Sequence, residues 1–129
     1  MIKVLVLDDE PDIASMVKVA LEAASGYQVR TTLTAAEARQ AIVAEPPDLF
    51  ILDLSLKEED GLKVLQWLRP KHPAMPVVIL TGLDAAEVEA QVEGLGVLEI
   101  IEKPLTIPQI QQRVQAIVAK LTDRPPDPA

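Results

Sequence analysis

The sequence predicts an α/β fold: a (βα)5 doubly wound domain whose parallel five-stranded sheet has the order 2-1-3-4-5 and carries helices on both faces. Three observations predict it. Short apolar or β-branched runs alternate with stretches of helical periodicity from one end of the chain to the other. Two of those runs, Leu49-Phe50-Ile51-Leu52 and Val77-Val78-Ile79-Leu80, are apolar without interruption, as strands covered on both faces are. A third, Tyr27–Thr32, is mixed in polarity and suits a sheet edge.

The elements follow in order. Ile2–Leu7 is the first strand, and Asp8-Asp9-Glu10-Pro11 ends it. Ile13, Met16, Val17, Ala20, Leu21 and Ala24 recur at helical spacing, and Ser25-Gly26 closes that first helix. After the edge strand, Thr34-Ala35-Ala36-Glu37 is a capping box. It opens a helix to about residue 44, with a thin apolar side of alanines, Ile42 and Val43. Pro46-Pro47 stops that helix before the third strand, which runs into Asp53. Asp60-Gly61 turns into a third helix with Leu62, Leu65 and Leu68 inward, and residues 70–76 read as a proline-punctuated loop.

The fourth strand ends at Thr81-Gly82. Asp84 caps a fourth helix carrying Val88, Val92 and Leu95, which Gly94 and Gly96 end. Residues 97–101 form the fifth strand, followed by Glu102-Lys103-Pro104. Thr106 and Gln109 cap a fifth helix with the stripe Ile107, Ile110, Val114, Ile117, Val118 and Leu121, and Pro108 falls in its tolerant first turn. Residues 1–121 thus form one domain, and residues 122–129 read as a proline-rich tail or the start of a linker.

Composition narrows the function. At 129 residues and 49% hydrophobic content the chain has an ordinary soluble core, filled by aliphatics because aromatics make up 2%. A formal net charge of −8 argues against direct contact with nucleic acid or an anionic membrane. With no cysteine, thiolate catalysis, disulfides and cysteine-bound zinc are excluded. Neither a signal peptide nor a membrane span is legible, so a cytoplasmic location is expected.

In a sheet of this flavodoxin-like order, ligands bind beyond the carboxyl ends of the strands, where the order reverses. That places the site between the first and third strands. The ends there deliver Asp8 and Asp9, Asp53, Thr81 and Lys103. Converging carboxylates repel one another, and a hard divalent cation removes the problem; few, partly hydrated oxygen ligands suit Mg²⁺. Asp8, Asp9, Asp53, Lys103 and Mg²⁺ sum to zero formal charge. With the metal on one side and Lys103 on the other, Asp53 becomes an oriented nucleophile toward phosphorus. Mg²⁺, the ammonium and the Thr81 hydroxyl could each take one oxygen of the resulting aspartyl phosphate.

This set, in its order and spacing, resembles the receiver domain of bacterial two-component response regulators, the CheY-like superfamily. The matching residues are Asp8-Asp9, Asp53, Asp60-Gly61, Thr81 and Lys103-Pro104, and the resemblance runs from Ile2 to about Leu121. It implies a flavodoxin-like three-layer sandwich that acts as a phosphoacceptor switch. Asp53 would take a phosphoryl group from a phosphohistidine on a sensor histidine kinase or a histidine phosphotransfer protein. Asp9 would bind Mg²⁺ directly, Asp8 largely through water, and the Ser55 backbone carbonyl would complete the protein ligands. Thr81 would move toward the phosphate, Lys103 would contact its oxygens, and the Lys103-Pro104 bond would be cis. Such a domain is a signalling domain rather than an enzyme, although it assists its own phosphorylation and dephosphorylation. Homodimerisation through the face of helix four, strand five and helix five is a further implication.

The departures are as informative. Ile100 stands where the family usually has Tyr or Phe, and a β-branched aliphatic cannot make the same inward swing. Lys57 stands where proline is common, and Leu83 occupies a position that tunes dephosphorylation. Two other readings compete. One is a phosphorylation-independent interaction module on the same fold, which Ile100 keeps open. The other is a phosphatase with an aspartyl nucleophile, which would need an acid where Ser55 stands.

Overall fold

The computed structural model describes residues 1–57 and 60–122. Its elements alternate as β1(Ile2–Leu7), α1(Pro11–Glu22), β2(Tyr27–Thr32), α2(Ala35–Ala44), β3(Leu49–Leu52), α3(Gly61–Lys71), β4(Val77–Thr81), α4(Ala85–Gln91), β5(Glu99–Glu102) and α5(Ile107–Thr122). The strands form one five-stranded parallel sheet of order β2-β1-β3-β4-β5, as the sequence predicts.

Side-chain parity along the strands divides the core into two layers. Val4, Val6, Leu49, Ile51, Val78 and Leu80 face α1 and α5, meeting Val17, Leu21, Ile110 and Val114. Leu5, Leu7, Phe50, Leu52, Val77 and Ile79 face α2, α3 and α4, meeting Ile42, Val64, Leu65, Leu68 and Val88. Both faces of β3 are therefore covered, which is why its sequence shows no polar alternation.

The caps at Thr34 and Asp84 form as expected, accepting from the N–H groups of Glu37 and Ala86, and Asp60, read only as a turn residue, also caps α3 by accepting from Leu62. The box at α5 is reciprocal: Thr106 N–H donates to the Gln109 side chain and Gln109 N–H to the Thr106 hydroxyl.

Several boundaries differ from the sequence reading. Pro70 lies inside α3 rather than in a loop. Its ring deprives only the exposed Gln66 of an intrahelical partner, and water can serve that carbonyl. Beyond α3, the Arg69 side chain donates to the carbonyls of His72, Met75, Leu95 and Gly96. It thereby pins two loops to one helix end. α4 ends at Gln91, before its glycines, and β5 starts at Glu99 rather than at residue 97. Gly94 and Gly96 both take positive φ in the intervening loop. Val43 at 71% exposure and Ile107 at 39% point outward rather than into the apolar stripes assigned to them. Thr122 is the last residue of α5 rather than part of a tail. The rest of the expected tail, 123–129, lies outside the described residues.

Candidate functional site

Backbone bonds bring the strand ends level. Asp53 N–H donates to the Leu7 carbonyl, Asp8 N–H to Thr32, and Lys103 N–H to Thr81. These bonds extend the ladder one residue beyond the strands and deliver Asp8, Asp53 and Lys103 to a common edge. Asp8 and Asp53 are each 1% exposed. Carboxylates so deeply placed require compensation.

Lys103 supplies part of it. Its ammonium lies 2.8 Å from Asp8 Oδ2 and 3.1 Å from Asp53 Oδ2, with Glu10 Oε1 at 3.7 Å. Asp53 Oδ1 accepts twice from Ser55, from its N–H at 2.8 Å and its hydroxyl at 2.6 Å. Asp8 Oδ1 accepts from the Glu10 N–H at 3.0 Å.

The compensation is incomplete. Burial pushes the Asp8 carboxyl above the ordinary carboxylate value, and the nearby Asp53 charge adds to this against the pull of Lys103 and the Glu10 N–H. Burial also works against the Lys103 charge, but the Asp8 and Asp53 carboxylates outweigh it and hold the ammonium above its ordinary value. Asp8 Oδ2, despite its ionic contact with Lys103, and Asp9 Oδ1 are buried without a directed hydrogen bond.

Carboxylate oxygens of Asp8, Asp9 and Glu10 lie within 4.8 Å of one another. The buried Asp9 Oδ1 without a partner, and Asp8 Oδ2 held only by its ionic contact with Lys103, fit a hard divalent cation with oxygen preference. Asp53 is outside that group and is joined to it through Lys103.

The structure thus brings Asp8, Asp9, Asp53 and Lys103 together. Thr81 is fully buried at the end of β4, and its hydroxyl accepts from the Leu83 N–H at 3.1 Å rather than facing Asp53 as a bound partner. Ser55 meets Asp53 through its N–H and hydroxyl; its carbonyl is not part of that contact. The Lys103-Pro104 bond is cis.

Two participants escape the sequence reading, as does the reason for a third. Glu10 joins the acidic group, a role its place directly after Asp8-Asp9 could have signalled. The Lys57 backbone N–H donates to Asp9 Oδ2 at 2.8 Å, which no sequence pattern announces. Gly61 is required by space: a Cβ there would stand 2.5 Å from the Asp53 carbonyl oxygen and 2.7 Å from Leu54 Cα. The turn signal found Gly61 but not its reason.

A five-stranded parallel sheet with an acid-lined edge, a buried strand-end aspartate and a lysine opposite defines a phosphoacceptor domain of the CheY-like class. Residues 4–115 match the family model of the response regulator receiver domain, and the chain belongs to that family. It is the receiver domain of two-component response regulators, a phosphoacceptor signalling switch. It is 36% identical over 121 residues to TcrX of Mycobacterium tuberculosis, covering 92% of this chain and 50% of that protein. It is 34% identical over 129 residues to the DNA-binding dual master transcriptional regulator RpaA of Synechocystis, covering 98% of this chain and 53% of that one. The chain therefore spans about half the length of these curated relatives. Among solved structures, NtrX from Brucella abortus superposes with a TM-score of 0.82 at 31% identity, over 93% of this chain and 28% of that one. Among the described residues, no helix is long and apolar enough to cross a membrane.

Proposed function

We propose that Asp53 is the phosphoacceptor and that a phosphohistidine on a sensor histidine kinase or histidine phosphotransfer protein is its donor. The observation that carries this reading is the Lys103 ammonium set between Asp8 and Asp53, beside the buried Asp9 Oδ1 that has no hydrogen-bond partner. An Asp53 oxygen attacks phosphorus, the P–O bond forms, and the P–N bond to the donor imidazole breaks with its electron pair returning to the ring. Lys103, already at Asp53 Oδ2, remains beside the oxygens of the transferred group. The Thr81 hydroxyl accepts from Leu83 N–H, which leaves its own proton free to donate to a phosphoryl oxygen.

Asp8 and Asp9, with Asp53 and the Ser55 carbonyl, are the ligands we assign to Mg²⁺. When bound, the ion would neutralise the acidic group and draw charge from the phosphoryl oxygens. Burial of Asp8 and Asp53 keeps competing water from the acyl phosphate.

The receiver unit runs to the end of α5 at Thr122, one residue beyond the boundary at 121 read from sequence, and acts in the cytoplasm without direct contact to nucleic acid or membrane. Output passes through the α4–β5–α5 face, by a changed partner or by homodimerisation. A groove of about 800 Å³ opens on that face, with Ala90, Val97 and Ile100 among its lining residues. The half-buried Ile100 packs against the α2–α3–α4 layer, so any relay there is a shift of aliphatic packing rather than the swing of an aromatic ring.

Acetyl phosphate with Mg²⁺ tests the assignment by intact-protein mass. The gain of one phosphoryl group is expected in the unaltered protein and its loss in Asp53→Asn. A gain that survives Asp53→Asn rejects Asp53 as acceptor, and steady turnover of a phosphomonoester would favour the phosphatase reading.

A further inference from the structure

The loop between β3 and α3 leaves the site at Ser55 and reaches Lys57, whose backbone N–H donates to Asp9 Oδ2 at 2.8 Å across 48 residues of chain. The other oxygen of that carboxylate, Asp9 Oδ1, is buried and has no hydrogen-bond partner. A carboxylate turns as one planar unit, so a bond that fixes one oxygen also fixes the direction of the other. A half-buried aspartate without such a bond would sample several rotamers. The same loop holds the acceptor, since Ser55 N–H and hydroxyl both donate to Asp53 Oδ1. One short segment therefore contacts both an acid of the first strand end and the acid of the third.

We infer that the Lys57 backbone amide is a positioning group for Asp9: it pins Oδ2 so that the unpartnered Oδ1 faces the cation shared with Asp8. This rests on the reading that Asp8 and Asp9 hold Mg²⁺. The side chain at position 57 has no part in it; what matters is that the residue has an N–H, which proline lacks. Asp9 orientation and the backbone of residues 55–57 are then coupled. Cation binding holds that backbone in place, and a displacement of it that releases Asp9 weakens cation binding.

The experiment uses the full chain and two measurements. Mg²⁺ affinity is measured calorimetrically for the unaltered protein, Lys57→Ala and Lys57→Pro. Lys57→Ala removes the ammonium and keeps the amide, so affinity within about twofold of the parent is expected; Lys57→Pro should weaken it about tenfold. Proline binding Mg²⁺ as tightly as the parent overturns the inference, as does an alanine variant weakened as much as the proline one. Hydrogen exchange of the Lys57 amide, followed by NMR without Mg²⁺, does not depend on how proline affects folding. It should be slow in the unaltered protein and faster in Asp9→Ala, and equal rates in the two would overturn the contact. Absence of Mg²⁺ binding in the unaltered protein would defeat the cation reading and this inference with it, and the exchange measurement distinguishes that outcome from failure of the contact alone.

Discussion

At the residue scale, the chemistry depends on which groups surround each oxygen. Leu83 is 38% exposed beside the site, and its N–H is bonded to the Thr81 hydroxyl. An aliphatic side chain there cannot orient a water molecule for attack on an aspartyl phosphate. The phosphoryl group on Asp53 is therefore expected to be long-lived. Leu83→Glu, which supplies an acceptor for that water, should accelerate decay of the phosphoform by about tenfold or more. Decay followed by mass spectrometry after removal of acetyl phosphate checks this, and a rate that is nearly unchanged or slower in Leu83→Glu defeats it. Asp53 itself was legible from sequence because an acid closing an apolar run is chemically conspicuous. The Lys57 amide was not, because every non-proline residue has one and only the fold says where it points.

At the element scale, the approach of α3 to the end of β3 is set by a missing atom. Gly61 opens α3 under the Asp60 cap, and its α-hydrogen faces the Asp53 carbonyl and Leu54. Gly61→Ala would put a methyl group at 2.5 Å from that carbonyl oxygen, and the obstructing atoms are backbone that cannot rotate away. Urea unfolding, followed by the single tryptophan, Trp67 on α3, should show a loss of about 1–3 kcal/mol. An unchanged midpoint would mean that the junction yields freely. The cost falls next to Asp53, the proposed acceptor, so slower phosphorylation should accompany it. Sequence periodicity placed α1, α3 and α5, whose buried positions recur at helical spacing, and uninterrupted apolar runs placed β3 and β4. It did less well where tertiary contacts decide the outcome. Pro70 reads as a breaker, yet it sits in the last turn of a helix whose exit is fastened by Arg69. Val43 and Ile107 are apolar and correctly spaced, but each lies just off the face that meets the sheet.

At the scale of the whole molecule, the site is a store of unfavourable charge that folding must tolerate and that the proposed Mg²⁺ would relieve. The Asp8 carboxyl is raised, first by burial and then by the charge of Asp53, despite Lys103. A carboxyl raised in the fold is more comfortable protonated. Its contribution to stability is thus largest below the unfolded value of 3.8 and is lost as pH rises through the folded value. An ionised Asp8 in the metal-free domain carries the penalty of its burial, so Asp8→Asn, which keeps the shape and removes the charge, should raise metal-free stability. Mg²⁺ requires the ionised form and should stabilise the unaltered domain by about 2.7 kcal/mol at a hundredfold excess over its Kd. That gain should shrink as pH falls into the range where Asp8 takes up its proton, sooner than for an ordinary aspartate. Asp8→Asn should lose most of the gain at every pH. Urea unfolding read from Trp67, with and without Mg²⁺ across a pH series, measures both effects. Equal Mg²⁺ stabilisation of the two proteins would remove Asp8 from the cation site, and an Asp8→Asn domain less stable than its parent without metal would mean that the Lys103 ion pair outweighs the burial of charge.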